Sequence, residues 1–261
     1  MDLRLAAKAA VVTGASKGIG LAITRSLAAE GVRVAAAALK GSPELDVLAD
    51  QADVHPFLVD LSSPDGPAAL IAEAVAQFGG IDILVNNVGA LRPRLDGFLA
   101  LTDGDWDWAM TINFFAAVRT MRAALPHLVT RAGASIVTIS SVNAFLPDPT
   151  VIDYSAAKGA LTNLCKSLSK EYGGRIRVNT ISPGPVQTDL WLGADGVAAT
   201  VARASGASPD AVARQAASDA ATGRFTSPQE IADLVLFLAS DRADNITGSD
   251  FVIDGGLIKT L

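Results

Sequence analysis

Ala9-Ala10-Val11-Val12-Thr13, then Gly14-Ala15-Ser16-Lys17-Gly18-Ile19-Gly20, then Leu21-Ala22-Ile23, is the stretch that decides the fold. An apolar run of strand length meets a glycine-rich turn, and the turn opens a pattern of helical period. A strand that stops at glycines and a helix that starts on them bring bare backbone and unpaired helix N–H groups to one point. There a pyrophosphate can approach closely and meet the positive end of the helix dipole. The spacing, G-x-x-x-G-x-G, differs from the general dinucleotide fingerprint G-x-G-x-x-G. A glycine triplet alone is equally a tight turn. Its place between a first strand and a first helix gives the nucleotide reading its weight.

Outward from this unit, short runs rich in Val, Ile and Ala alternate with longer helical patterns. Strands are predicted at Ala9–Thr13, Val32–Leu39, Val54–Val59, Ile81–Asn86, Ser135–Ser140, Arg175–Ile181 and Asp250–Ile253. Helices are predicted at Gly18–Glu30, Pro67–Phe78, Asp103–Arg131, Asp153–Tyr172 and Pro228–Ala239. Such alternation builds parallel strands, because a parallel crossover needs a long connection that a helix supplies. The fold class is therefore α/β: one doubly wound parallel sheet of seven strands with helices on both faces. No repeat or low-complexity linker divides residues 1–261, which read as one dinucleotide-binding domain. Only 188–224 breaks the rhythm, with Gly193, Gly196, Gly206, Ser208 and Pro209 punctuating an Ala-rich stretch; this segment is the expected substrate lid.

Half of the residues are hydrophobic, enough for a sizeable core, and the formal charge of −6 argues against a nucleic-acid partner, which needs clustered Lys and Arg. The single cysteine, Cys165, has no disulfide partner and sits in a helical pattern as a small hydrophobe. His55 and His127 lack neighbours at metal-ligand spacing, so no metal site is expected. No apolar stretch is long enough to span a bilayer and no signal-peptide pattern opens the chain. A cytoplasmic location is the expectation.

The adenosine ribose of a dinucleotide lies near the end of the second strand, where an acidic residue would receive the 2′-hydroxyl of NAD. Here the strand ends Ala38-Leu39-Lys40. Without that acid nothing repels a 2′-phosphate, and Lys17 and Lys40 offer it positive charge. NADP(H) is the expected preference, with NAD(H) as the alternative.

Tyr154-Ser-Ala-Ala-Lys158 places a phenol and an ammonium one helical turn apart on the same face. A nearby cation favours the phenolate and so brings the group toward acid/base use. The pair has company. Ser140 and Ser141 end the fifth strand, Asn86-Asn87-Val88-Gly89 the fourth, and Pro183-Gly184 follows the sixth. All these strand ends open on the sheet edge where doubly wound folds bind ligands.

From Ala9 to Gly256 the chain closely resembles the classical short-chain dehydrogenase/reductase family. Thr13 to Gly20 is similar to its T-G-x-x-x-G-x-G, Tyr154 to Lys158 to Y-x-x-x-K, and Pro183-Gly184-Pro185-Val186-Gln187-Thr188 to P-G-x-V-x-T. The resemblance implies that Gly14, Ser16, Lys17, Gly18, Ile19 and Gly20 hold the pyrophosphate side of the cofactor and that Asp60 and Leu61 contact adenine. It further implies that Asn87 and Gly89 flank the cofactor path, and that Pro183, Gly184, Val186 and Thr188 hold the nicotinamide carboxamide. By the same resemblance Tyr154 protonates the carbonyl oxygen during reduction, Ser141 hydrogen-bonds it, and Lys158 contacts the nicotinamide ribose and acidifies the tyrosine. Ser141, thirteen residues before Tyr154, is chosen over the adjacent Ser140, which reads as structural. Asn113, seven residues after Trp106, matches the asparagine that positions a proton-relay water. Two departures stand out. Val88 replaces the alanine of N-N-A-G, and Leu39 stands where many NADP-using relatives carry arginine, which leaves phosphate recognition to Lys17, Lys40 or Ser42.

Asn143, Phe145 and Trp191, with Leu91 and Arg92 near the mouth, are the expected substrate surroundings. They suggest an apolar cavity for a hydrophobic or cyclic ketone or secondary alcohol. The resemblance also implies a homotetramer, or a homodimer, assembled through the helices at Asp103–Arg131 and Asp153–Tyr172. Competing readings are a non-catalytic cofactor sensor, against which the completeness of Ser141, Tyr154 and Lys158 argues, and dehydration or epimerisation on the same scaffold.

Overall fold

The computed structural model describes residues 2–260. The strands are β1 (Ala9–Thr13), β2 (Arg33–Ala38), β3 (Val54–Leu58), β4 (Ile83–Asn86), β5 (Ala134–Ile139), β6 (Ile176–Pro183) and β7 (Asp250–Ile253). They form one sheet in the order β3-β2-β1-β4-β5-β6-β7, with every pair parallel. The doubly wound, seven-stranded expectation holds. Its chain order reverses between β1 and β4, the crevice where such sheets receive ligands.

Along β1, Ala9 and Val11 face one hydrophobic cluster while Ala10 and Val12 face the other. Successive side chains of a strand point to opposite faces, so an unbroken apolar run is what a strand covered on both sides requires. One face is covered by α1 (Gly18–Ala29) and α10 (Pro228–Ala239), through Ile23, Leu27, Ile231 and Val235. The other is covered by α3 (Gly66–Phe78), α5 (Ala116–Leu128) and α6 (Ile152–Glu171), through Leu70, Ile71, Met121, Leu125 and Leu161. Each fully buried leucine or isoleucine contributes roughly 1.5–3 kcal/mol relative to exposure. Cys165 lies in this second cluster, as a packing residue.

Three differences from the sequence pattern have physical causes. A helix α2 (Pro43–Gln51) follows β2; it buries only Leu45, so its apolar period is too thin to read, and its clear signal is the Ser42 N-cap followed by proline. The expected helix Asp103–Arg131 is interrupted. It runs as α4 (Asp103–Met110), a π turn at Thr111–Phe115, then α5, and ends at Leu128. Single π turns leave hydrophobic periodicity almost intact and are frequent at functional sites; this one carries Asn113. Residues 188–224, read as irregular, contain α7 (Asp189–Leu192), α8 (Val197–Ser205) and α9 (Pro209–Ser218). Among the described residues no helix is long and apolar enough to cross a membrane.

Candidate active site

The carboxyl ends of β1 and β4 are stitched together by one hydroxyl. Thr13 Oγ1 accepts the N–H groups of Asn87 (2.9 Å) and Val88 (3.1 Å) and donates to the Val85 carbonyl (3.3 Å). Asn87 answers by donating its amide to the carbonyls of Thr13 (2.9 Å) and Gly14 (3.2 Å). The asparagine expected to flank the cofactor is therefore a brace of the glycine turn. That turn is tight enough to exclude side chains: a Cβ on Gly20 would lie 2.0 Å from the Gly14 carbonyl oxygen and 2.6 Å from Asn87 Nδ2. Gly14 itself takes φ +68°, a conformation glycine adopts without penalty. Lys17, the N-cap of α1, has no side-chain acceptor, so no side-chain cap engages the N–H groups of the first turn and they remain available to an anion. The turn accordingly fits a dinucleotide pyrophosphate.

Around the adenosine end the residues divide. Lys17 and Lys40 are exposed. Ser42, by contrast, donates its proton to the Ser16 carbonyl (2.6 Å) and accepts from Leu45 N–H (3.1 Å), so its hydroxyl fastens α2 to the glycine turn. Asp60 uses Oδ1 to accept both the N–H and the hydroxyl of Ser62, at 2.8 and 2.6 Å, and the Ser62 hydroxyl is the main cause holding its pKa below the usual range. Leu61 packs into the core, which leaves its backbone as the part available to a ligand.

Gly89 lies against two of the expected site residues, Asn113 and Lys158. A Cβ there would stand 3.0 Å from Asn113 Oδ1 and 3.4 Å from Lys158 Nζ. Asn113, buried in the π turn, accepts Ala90 N–H (3.0 Å) and donates to the carbonyls of Ala90 (2.8 Å) and Ala109 (3.0 Å). Its side chain thus clamps the loop after β4. Lys158 is buried and donates from Nζ to the Ile139 carbonyl (2.8 Å), with Nζ 5.6 Å from the centre of the Tyr154 ring. Ser141 caps a short turn at Val142–Ala144, accepting Asn143 N–H (3.2 Å) and donating to Asn143 Oδ1 (3.2 Å). The adjacent Ser140 is bonded to Thr162 (2.6 Å) inside the fold, in keeping with a structural part.

Burial dominates the electrostatics of both Tyr154 and Lys158. Burial pushes the Tyr154 phenol up to about 12, and a hydrogen bond with Ser141 offsets only part of that rise. Burial likewise brings the Lys158 ammonium down to about 8. In this enclosure desolvation outweighs the hydrogen bond from Ser141. The phenol therefore keeps its proton at neutral pH, the state a proton donor needs.

Of the expected substrate residues, Phe145 is half exposed, Trp191 packs edge-on against Phe225 at 5.4 Å, and Asn143 turns its amide toward Ser155 (3.4 Å) and its carbonyl oxygen onto Ser141. Asn143 is thus an orienter of Ser141. Arg92 lies over the Trp108 ring at 3.9 Å. Sequence reasoning missed three residues: Thr13 as the stitch across the crevice, and Arg94 with Asp153, which pair at 2.6 Å. The available signal for Asp153 was an acid in the first turn of the helix that bears Tyr154.

Comparison with known proteins gives the chain a family. Residues 14–258 match the family model described as Enoyl-(Acyl carrier protein) reductase. The chain is similar to a 3-oxoacyl-(acyl-carrier-protein) reductase of Thermotoga maritima, 32% identical over 98% of this chain and 100% of that protein. It is 36% identical to a D-threitol dehydrogenase of Mycolicibacterium smegmatis over 98% of this chain and 94% of the relative. Among solved structures it resembles an L-sorbose reductase of Gluconobacter frateurii, complexed with NADPH and L-sorbose, with a TM-score of 0.91, 33% identity and full coverage of both chains.

Proposed function

The chain belongs to the classical short-chain dehydrogenase/reductase family of NAD(P)-dependent oxidoreductases, and on that premise we propose that it interconverts a hydrophobic or cyclic ketone and its secondary alcohol with NADP(H). The observation that carries this reading is that Ser141 and Lys158 both lie against Tyr154, with Lys158 also against Gly89, at the carboxyl edge of the sheet. A cofactor sensor has no use for a phenol held protonated beside a serine.

A nicotinamide dinucleotide held in the crevice would supply the hydride. Gly14, Ser16, Lys17, Gly18, Ile19 and Gly20 would hold its pyrophosphate, and Asp60 and the Leu61 backbone its adenine. Asn87 would act through the turn it braces, with Gly89 giving clearance, while Pro183, Gly184, Val186, Thr188 and Lys158 would hold the nicotinamide side. Ser141 turns its hydroxyl from Asn143 to the substrate oxygen and orients it. Tyr154 then gives its phenolic proton to that oxygen as the carbonyl carbon accepts the hydride, so the product is the neutral alcohol. Lys158 stabilises the tyrosinate left behind, and Asn113 holds the loop that walls the site.

For the 2′-phosphate, Lys17 and Lys40 are the remaining candidates, since Ser42 is engaged as a helix cap. The hydrophobic substrate class rests on Phe145, Leu146, Leu190 and Leu192, all substantially exposed on the segments that follow Ser141 and Thr188. The threitol dehydrogenase and sorbose reductase are named for hydroxyl-rich compounds; the apolar side chains here favour a different preference. Residues 188–224 form the lid over that pocket. Assembly as a homotetramer, through the apolar groove between α5 and α6 lined by Val118, Leu125, Val129, Leu164, Leu168 and Tyr172, and a cytoplasmic location complete the proposal.

The test is a cofactor-absorbance screen of ketones, secondary alcohols and sugars, run with NADPH and NADH and their oxidised forms. Turnover of apolar carbonyls with NADPH supports the proposal. A clear preference for sugars overturns the substrate class, tighter binding of NADH overturns the cofactor preference, and bound cofactor without any turnover favours the sensor.

A further inference from the structure

Outside the residues already assigned, one charge cluster built on a buried carboxylate, Asp153, touches the helix that carries the proton donor. Arg94 sits in the loop between β4 and α4, with its side chain 12% exposed. Its Nε and one terminal nitrogen donate to Asp153 Oδ2 at 3.0 and 2.6 Å, and its other terminal nitrogen donates to Asp105 Oδ1 at 2.8 Å. Asp153 is almost fully buried and uses its second oxygen, Oδ1, to accept the backbone N–H of Tyr154 at 2.9 Å. Asp105 belongs to the capping box of α4, where it also accepts from the N–H and hydroxyl of Thr102. The Arg94 backbone N–H donates to the Thr150 carbonyl at 2.6 Å, just ahead of α6.

One guanidinium therefore joins the loop after β4, the first turn of α4 and the first turn of α6. Four residues upstream, Asn113 grips the same loop at Ala90. We propose that Arg94, acting through Asp153 and Asp105, is a positioning residue that sets the placement of Tyr154 against Ser141 and the substrate oxygen. This rests on the assignment of Tyr154 as proton donor. The chemistry of the cluster suits the task. A guanidinium spans two carboxylates in fixed directions, which an ammonium cannot do, and a carboxylate anchored on the Tyr154 N–H transmits that geometry to the helix start. A misplacement of about 1 Å at a reacting group costs on the order of a hundredfold in rate. Removing the guanidinium also leaves Asp153 as a buried charge without its partner, and the helix start must move to hydrate it.

The chain has only two tyrosines, Tyr154 and Tyr172, so ring-labelled tyrosine gives an NMR reading of the site that needs no turnover. In Arg94→Ala, kcat is expected to fall about tenfold or more while the cofactor Kd stays within about twofold. The Tyr154 resonance should move or broaden with Tyr172 unchanged. Added guanidinium chloride at millimolar concentration should restore part of kcat, and Arg94→Lys should lie between wild type and Arg94→Ala. Should Arg94→Ala fail to fold, Asp105→Asn removes one arm only, and there a few-fold loss of kcat with a smaller Tyr154 shift is expected. An unmoved Tyr154 resonance in a folded variant, or loss of kcat and cofactor binding in proportion without rescue, overturns the inference. The parent reading fails separately: it falls if Tyr154→Phe retains turnover, whereas a dead Tyr154→Phe beside an unaffected Arg94→Ala removes only the role of Arg94.

Discussion

The loop after β4 and the excursion after β6 leave the same edge of the sheet, and they are held in opposite ways. The first, from Asn87 to Leu101, is fastened from within by Thr13 at its root, Asn113 at Ala90 and, beyond, Arg94 paired with the buried Asp153. The second, 188–224, is fastened mainly where it returns. Gln187 N–H donates to the Thr226 carbonyl, Thr226 N–H to Pro185, Thr222 N–H to Gly255, and Arg224 forks onto Glu230 at the cap of α10. Between those anchors α8 buries three alanines and α9 buries none of its residues fully. Interior polar contacts fix a geometry to fractions of an ångström, as acid/base chemistry requires. Perimeter anchoring leaves a segment free to vary in shape, as substrate choice requires.

The sharpest break in that comparison is at Gly89. Gly89→Ala puts a methyl group 3.0 Å from Asn113 Oδ1 and 3.4 Å from Lys158 Nζ, so one of them must give way. We expect kcat to drop by roughly a hundredfold, the cost of a displacement near 1 Å, with the fold intact by circular dichroism. A smaller effect is expected from pH. Lys158 is charged below about 8 and neutral above, while Tyr154 stays protonated up to about 12. Reduction, followed as kcat/KM, should therefore decline as pH rises through about 8, and Lys158→Met should remove that inflexion. The smallest effect belongs to the excursion. Trp191→Ala unseats the contact with Phe225 and should raise KM for the carbonyl a few-fold, kcat and cofactor Kd changing little, a pattern of lost uniform binding. Equal loss in kcat would show that this segment takes part in the chemistry.

The same contrast governs how much the amino-acid sequence discloses. The sheet was legible because strands buried on both faces must be apolar throughout, as Val11-Val12 and Val34 to Ala38 are, and because helices must alternate with them. Tyr154, Lys158 and Ser141 were legible through spacing and resemblance to a known family. Arg94 and Asp153 were not, since they lie 59 residues apart and nothing local marks an ion pair. The π turn at Asn113 changes one hydrogen-bond register and leaves the polarity pattern untouched. The burial that raises the Tyr154 pKa was not legible either, because desolvation is a property of the packed site.

The central claim is that Tyr154 is the proton donor of a nicotinamide-dependent carbonyl reduction. Its most direct test is Tyr154→Phe, assayed for turnover with the best substrate of the screen alongside cofactor titration. Loss of kcat by about 10²–10⁴ with an unchanged cofactor Kd is the predicted result, the range a positioned acid contributes. Turnover within a few-fold of wild type, with the cofactor still bound, would contradict it.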